Sequence, residues 1–351
     1  MFRSLARDPR AMPAWSLDER TSAILAPLVP AGSWESSVGD GELPRELTGV
    51  DVDEIQRTLK SLARRADAPF VVSGGLWRLA SPEEAAFLLL RDIDPDVLDR
   101  WADLVPQALL REDPREDMGT VERMTAELKG VVAAYSGTLR KHLAARLALA
   151  AASAADLPVD LHMQVRVDRI VHLLMDAASN DGTGATWARL SGHLSTLAEA
   201  SPEELLDAME ADLARPHSLL ATLFRDSDGD IFGLSSPYPS HLWALETLCW
   251  SPEQFGRATV LLAKLAAINP GGRISNRPLE SLASVTSERT DRSGPADRTI
   301  QPTWGHVPRH LRRRRPGAGA GEGLPRDGRA YRDPVAPRWA RPTRHRRQLQ
   351  G

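Results

Sequence analysis

The chain has 351 residues, 42% of them hydrophobic, which is enough for a real core in two or three domains. Its one cysteine, Cys249, excludes an internal disulfide framework and any multi-cysteine zinc site, so no metal is expected. The net charge is −3, no apolar run reaches the ~18–20 residues that span a bilayer, and MFRSLARDPR lacks the apolar stretch of a signal peptide, so a soluble, cytoplasmic protein without membrane contact is expected.

Thr21–Trp34 is apolar enough for a short helix, with Pro27 and Pro30 limiting its run. Glu42–Leu47 gives a second. Asp51–Arg65 is the clearest: Val52, Ile55, Leu59 and Leu62 recur at helical spacing, and Asp51 and Asp53 lie where the helix dipole favours acids. Phe70–Val72 and Leu76–Leu79 flank Gly74-Gly75 and read as a hairpin. Three helices and a hairpin make residues 1–90 a winged-helix-like module. As a DNA reader its third helix would set Asp51, Asp53 and Glu54 against phosphates, while Arg57, Lys60, Arg64 and Arg65 lie nearer the other end. Packing against protein is the preferred role, and nucleic acid the alternative.

From Pro82 onward strand patterns stop. Pro82–Leu90, Pro95–Leu110, Gly119–Leu157 (broken near Gly130), Met163–Ala178, Thr186–Ala200, Pro202–Ala214, Leu242–Trp250 and Phe255–Ala267 carry helical patterns. Leu139, Leu143, Leu147 and Leu149 mark a buried core helix. Ser201-Pro202-Glu203-Glu204 and Ser251-Pro252-Glu253 both read as helix starts, with serine as cap and proline at the first position. Helix pairs on short loops make residues 91–285 an irregular α-solenoid.

Chemical motifs are sparse. None of the four lysines (Lys60, Lys129, Lys141, Lys264) follows a glycine, so no phosphate-binding P-loop exists, and HExxH and GxSxG are absent. No cofactor and no catalytic residue is expected. Asp226-Ser227-Asp228-Gly229-Asp230 invites a calcium reading, yet the positions that need Gly and Glu hold Ile231 and Pro237, which favours an exposed acidic turn. Arg166 and His172 resemble the Arg–His pair of HEPN-type ribonucleases, where histidine moves a proton and arginine holds phosphate. Val167 departs from that pattern, and a histidine packed among Ile170, Val171, Leu173 and Leu174 is the plainer reading. Cys249, between Leu248 and Trp250, reads as a small core residue.

The last 66 residues, Thr286–Gly351, hold 16 arginines, no lysine and six acids, a net of +10, against −13 for the rest. Arg, Pro, Gly and Ala dominate without any period, so residues 286–351 are expected to be a disordered basic tail. It reads as an arm for nucleic acid, as a solvated tail, or, preferred here, as out-of-frame translation of a GC-rich gene.

The segment from Ser236-Pro237 through Trp243, Glu246 and Trp250-Ser251-Pro252, then Pro270-Gly271-Gly272, Asn276-Arg277-Pro278 and Ser281-Leu282, resembles a pattern in large actinobacterial STAND-like P-loop NTPases. Leu197–Pro202 and the hairpin around Gly75 and Trp77 resemble the same proteins, over about residues 10–285. Tyr238 and Pro239 depart from that pattern, as does everything after Val285. The resemblance implies a winged helix plus helical repeats without the NTPase: a non-catalytic sensing or oligomerisation scaffold of a signalling or defence ATPase, or a non-functional remnant. Its partner would be another protein or the missing NTPase portion. A DNA-binding winged-helix regulator and a HEPN-like ribonuclease are the alternatives. The motif residues are expected to be structural. Pro270-Gly271-Gly272 would end the helix Phe255–Ala267. Trp243 and Trp250, seven apart, would face one neighbouring helix, and Glu246 would reach Arg277 or lie at the solvent edge.

The expected chain is therefore all-α: winged-helix module, irregular solenoid, disordered tail.

Overall fold

Helix formation begins where proline fixes the first turn. The computed structural model describes residues 12–116, 118–223, 237–268 and 277–292. After Pro13 comes α1 (Ala14–Leu17), then α2 (Glu19–Leu25) and a 3-10 turn at Ala26–Leu28. The single helix expected over Thr21–Trp34 is corrected here. Gly32 turns the chain at φ 77°, and Ser33–Glu35 forms a strand, β1.

Two helices follow. In α3 (Val38–Thr48) Ser37 accepts the Asp40 N–H, and the helix is longer than the Glu42–Leu47 expected. In α4 (Val52–Leu62) Asp51 accepts the Asp53 N–H, and Ile55, Leu59 and Leu62 are buried, as the spacing requires. Strands β2 (Phe70–Ser73) and β3 (Leu76–Leu79) meet across Gly74 and Gly75, both with positive φ, as a two-residue hairpin needs. The sheet is antiparallel in the order β1-β3-β2, with Trp34 opposite Trp77. Those two rings stack at 6.4 Å, and Trp34 meets Phe70 edge-on at 5.6 Å.

After β3 the described residues form helices joined by loops, with no further strand: α5 (Pro82–Leu89), α6 (Pro95–Leu110), α7 (Thr120–Thr125), α8 (Gly137–Ser153), α9 (Met163–Asn180), α10 (Ala185–Leu190), α11 (Leu194–Ala200), α12 (Pro202–Leu213), α13 (Leu219–Leu223), α14 (Tyr238–Leu248), α15 (Phe255–Ala267) and α16 (Pro278–Arg292). The break expected near Gly130 is present, at φ 76°. Thr186–Ala200 is not one helix, because a 3-10 turn at Ser191–His193 divides it. Ser201 does not cap α12; its hydroxyl donates to Asp168 instead. The second Ser-Pro-Glu signal is also displaced. Ser251–Gln254 forms a turn, and α15 begins one turn later.

Helix α8 is central. It packs against β1, α5, α9 and α11. Leu139, Leu143 and Leu147 are fully buried, as are Val167, Ile170 and Leu174 of α9 beside it. The core is continuous from Trp15 to Val285 and passes through residue 90 without a gap. All described residues fall in one compact unit, Met1–Gly294. Helix α16 continues beyond Val285, so Thr286–Arg292 are helical, and residues 293–351 lie outside the described residues. No helix among the described residues is long and apolar enough to cross a membrane.

Candidate functional site

A buried polar junction joins the sheet to α8. Asp40 on α3 has no exposed surface. Its carboxylate accepts from the Glu35 N–H at 2.8 Å, the Ser136 N–H at 2.7 Å and the Ser136 hydroxyl at 2.6 Å. Ser136 caps α8 by accepting the Leu139 N–H, and the Thr138 hydroxyl donates to Glu35 Oε1 at 2.6 Å. One carboxylate therefore fixes β1, the start of α3 and the start of α8 together. Gly39 makes this approach possible: a Cβ there would lie 1.6 Å from the Ala134 carbonyl oxygen. Sequence reasoning missed Asp40, because its partner lies 96 residues away.

Trp77 is buried, and its indole N–H donates to the Ser36 hydroxyl at 2.9 Å, which in turn donates to the Gly75 carbonyl. Lys60 on α4 lies 5.6 Å over the Trp77 ring. The outer side of α4 carries exposed Asp53 and Glu54 in its first turn and exposed Arg57 and Lys60 further on, with Arg64 and Arg65 just beyond. This polarity complements the helix dipole.

The motif at the other end divides. Ser236, Pro270, Gly271, Gly272 and Asn276 lie outside the described residues, as does Asp226–Asp230. Pro237 precedes α14, and its carbonyl accepts from His241 Nδ1 at 3.1 Å. Trp243 and Trp250 are 42% and 46% exposed, so neither ring is enclosed in the core. His241, Leu242, Leu245 and Leu248 take the buried side of α14. Glu246 is half-buried; Arg277, which precedes α16, is exposed, and Pro278, the first residue of α16, is buried.

Arg166 and His172 engage different neighbours. Arg166 grips Asp99 on α6 at 2.8 Å, while His172, 63% exposed rather than packed, bonds Glu204 on α12 at 2.8 Å. Two histidines elsewhere are held neutral. Burial pushes His241 down to about 4, against the Pro237 carbonyl bond, and burial with Arg140 and Lys141 nearby pushes His193 down to about 4. Arg257 on α15 bonds Glu203, Asp207 and Glu210 along α12, and this hold raises its already high pKa. The i, i+4, i+7 spacing of those acids was the available signal for that network. Among the described residues no group of His, Cys, Asp or Glu is placed to hold a metal ion.

Set against family models, curated proteins and solved structures, the chain matches none of them.

Proposed function

We propose that this chain is a non-catalytic scaffold, the winged-helix and helical-repeat part of a STAND-like signalling or defence ATPase, acting in sensing or oligomerisation. The observation that carries this reading is the Asp40–Ser136 junction. The order α2-β1-α3-α4-β2-β3 suits a winged helix, and its Asp40 and Glu35 carboxylates are engaged on the start of α8, as in a structural part of a larger assembly. The helix pairs after α8 then form an irregular solenoid, whose exposed Trp243 and Trp250 suit a protein partner.

The experiment is to sequence the flanking DNA, express any P-loop NTPase frame found directly upstream, and measure its co-sedimentation with this chain. A complex is expected. Absence of such a frame, or failure to co-sediment, overturns the reading.

Exposed Arg57, Lys60 and Arg64 favour a second reading, DNA binding through α4. It predicts duplex DNA affinity falling by about 10-fold or more between 50 and 200 mM salt. Salt-insensitive or absent binding removes it.

A further inference from the structure

His241 lies in the first turn of α14 and has no exposed surface. The Pro237 carbonyl accepts from its Nδ1 at 3.1 Å, so the one proton of the neutral ring is on Nδ1. Nε2 is buried and has no hydrogen-bond partner. The Trp187 ring of α10 lies 5.8 Å away, between centroids, and its buried indole N–H is a donor, not an acceptor. Around this pair the seam is aliphatic: Leu194, Leu197 and Ala198 of α11 and Leu242 and Leu245 of α14 are all fully buried.

A charged imidazole has no place there. A second proton would go to Nε2, which has no acceptor to meet it. The charge would sit at a helix N-terminus, where the dipole opposes a cation. The face of Trp187 offsets only part of the cost of burying it. Water cannot reach Nε2 in the closed seam, so proton uptake goes with opening.

The neighbours do not change this. Among the described side chains, the ionisable groups on the elements packed against α14 are Glu199 of α11, His193 of the 3-10 turn, Arg257 and Lys264 of α15 and Glu280 of α16, with Arg189 on α10 and Glu246 on α14 itself. Only burial and the Pro237 carbonyl act on His241. His193 borders the same seam, and Arg140 and Lys141 near it also disfavour its charge. Glu199 works the other way: burial raises its pKa, so its protonation favours the closed seam. His142 of α8 is half-buried, so its ring reaches water when charged.

We propose that the seam holding α14 against α10 and α11 is an acid-operated latch: a proton on His241 Nε2 holds it open, and α14 parts from its neighbours while α8 and the sheet stay folded. The proposal does not rest on the scaffold reading.

The chain carries its own reporter. Cys249, its one cysteine, follows α14 directly and is 1% exposed. The test is labelling of the full chain with 4,4′-dithiodipyridine at pH 7, 6 and 5, each rate divided by that of glutathione at the same pH. The normalised rate is expected to rise by about 20-fold or more from pH 7 to pH 5. Twentyfold is the share of one ring that titrates near 6.5 when released and about 4 when held. His241→Leu should remove that share. His241→Gln, which takes no proton and keeps a donor for the Pro237 carbonyl, serves if His241→Leu does not fold. A second reporter, Ala144→Cys in a Cys249→Ser background, lies buried in α8 and should show no such rise. Equal acceleration at both reporters means that acid unfolds the whole chain, and overturns the proposal. A Cys249 rate that ignores pH, or a rise undiminished in both His241 variants, overturns it as well.

Discussion

The two ends of the helical layer are fastened in opposite ways. Where α8 meets the sheet, a fully buried carboxylate, Asp40, receives its hydrogen bonds from Glu35 nearby on β1 and from Ser136, 96 residues further along the chain. Where α15 meets α12, the polar contacts run along the water's edge: Arg257 spans Glu203, Asp207 and Glu210, all partly exposed, above an aliphatic contact that includes Leu206, Met209, Ala258 and Leu261. The first joint fixes one geometry, because any slip strands buried donors. The second tolerates adjustment, because water replaces what an ion pair loses.

Asp40→Ala should break the comparison most sharply. It leaves the Glu35 N–H and the Ser136 N–H and hydroxyl without their acceptor, at a cost of about 3–5 kcal/mol, read from urea unfolding at neutral pH. A loss below about 1 kcal/mol would show that the junction does not depend on this carboxylate. Acidification comes next. His241 titrates near 6.5 when unfolded and about 4 when folded, because burial disfavours its charged form. Its contribution is therefore complete above pH 6.5 and is lost as pH falls from 6.5 toward 4, about 3 kcal/mol in all. His193 acts in the same direction. Stability measured at pH 7 and pH 4.5 should show the drop, and His241→Leu should flatten its share of it. Arg257→Ala is expected to be smallest. It should cost about 0.5–1 kcal/mol at low salt and less at 1 M. A salt-independent loss of several kcal/mol would mean that the two joints are alike after all.

Local chemistry made part of this fold legible. The 52–62 helix and the Gly74-Gly75 hairpin announce themselves through spacing, an aspartate cap and two positive-φ glycines. Strand β1 does not. Three residues are too few for an alternating pattern, and Trp34 is extended only because β3 lies beside it. Trp243 and Trp250 are seven apart, but α14 ends at Leu248, before Trp250, and spacing alone cannot say which side points inward; Leu242, Leu245 and Leu248 take the buried side of α14. The Ser201 signal failed because its hydroxyl is turned to donate to Asp168 and accepts no amide N–H from the first turn of α12. Asp40 carried no local sign of burial. Arg146 carried no such sign either: Arg140, Lys141 and His142 share its leucine-rich run, and only packing shows which of them is buried.

On the ribosome the Asp40 clasp has a timetable. Ser136 follows Asp40 by 96 residues, which at ~5–20 residues per second is a delay of about 5–20 s. Through that interval the sheet can pair with itself, but Asp40 keeps water in place of Ser136, and the surface meant for α8 stays open on the nascent chain. Slow codons between positions 40 and 136 lengthen that exposure, and fast ones shorten it, without any change in the protein's sequence.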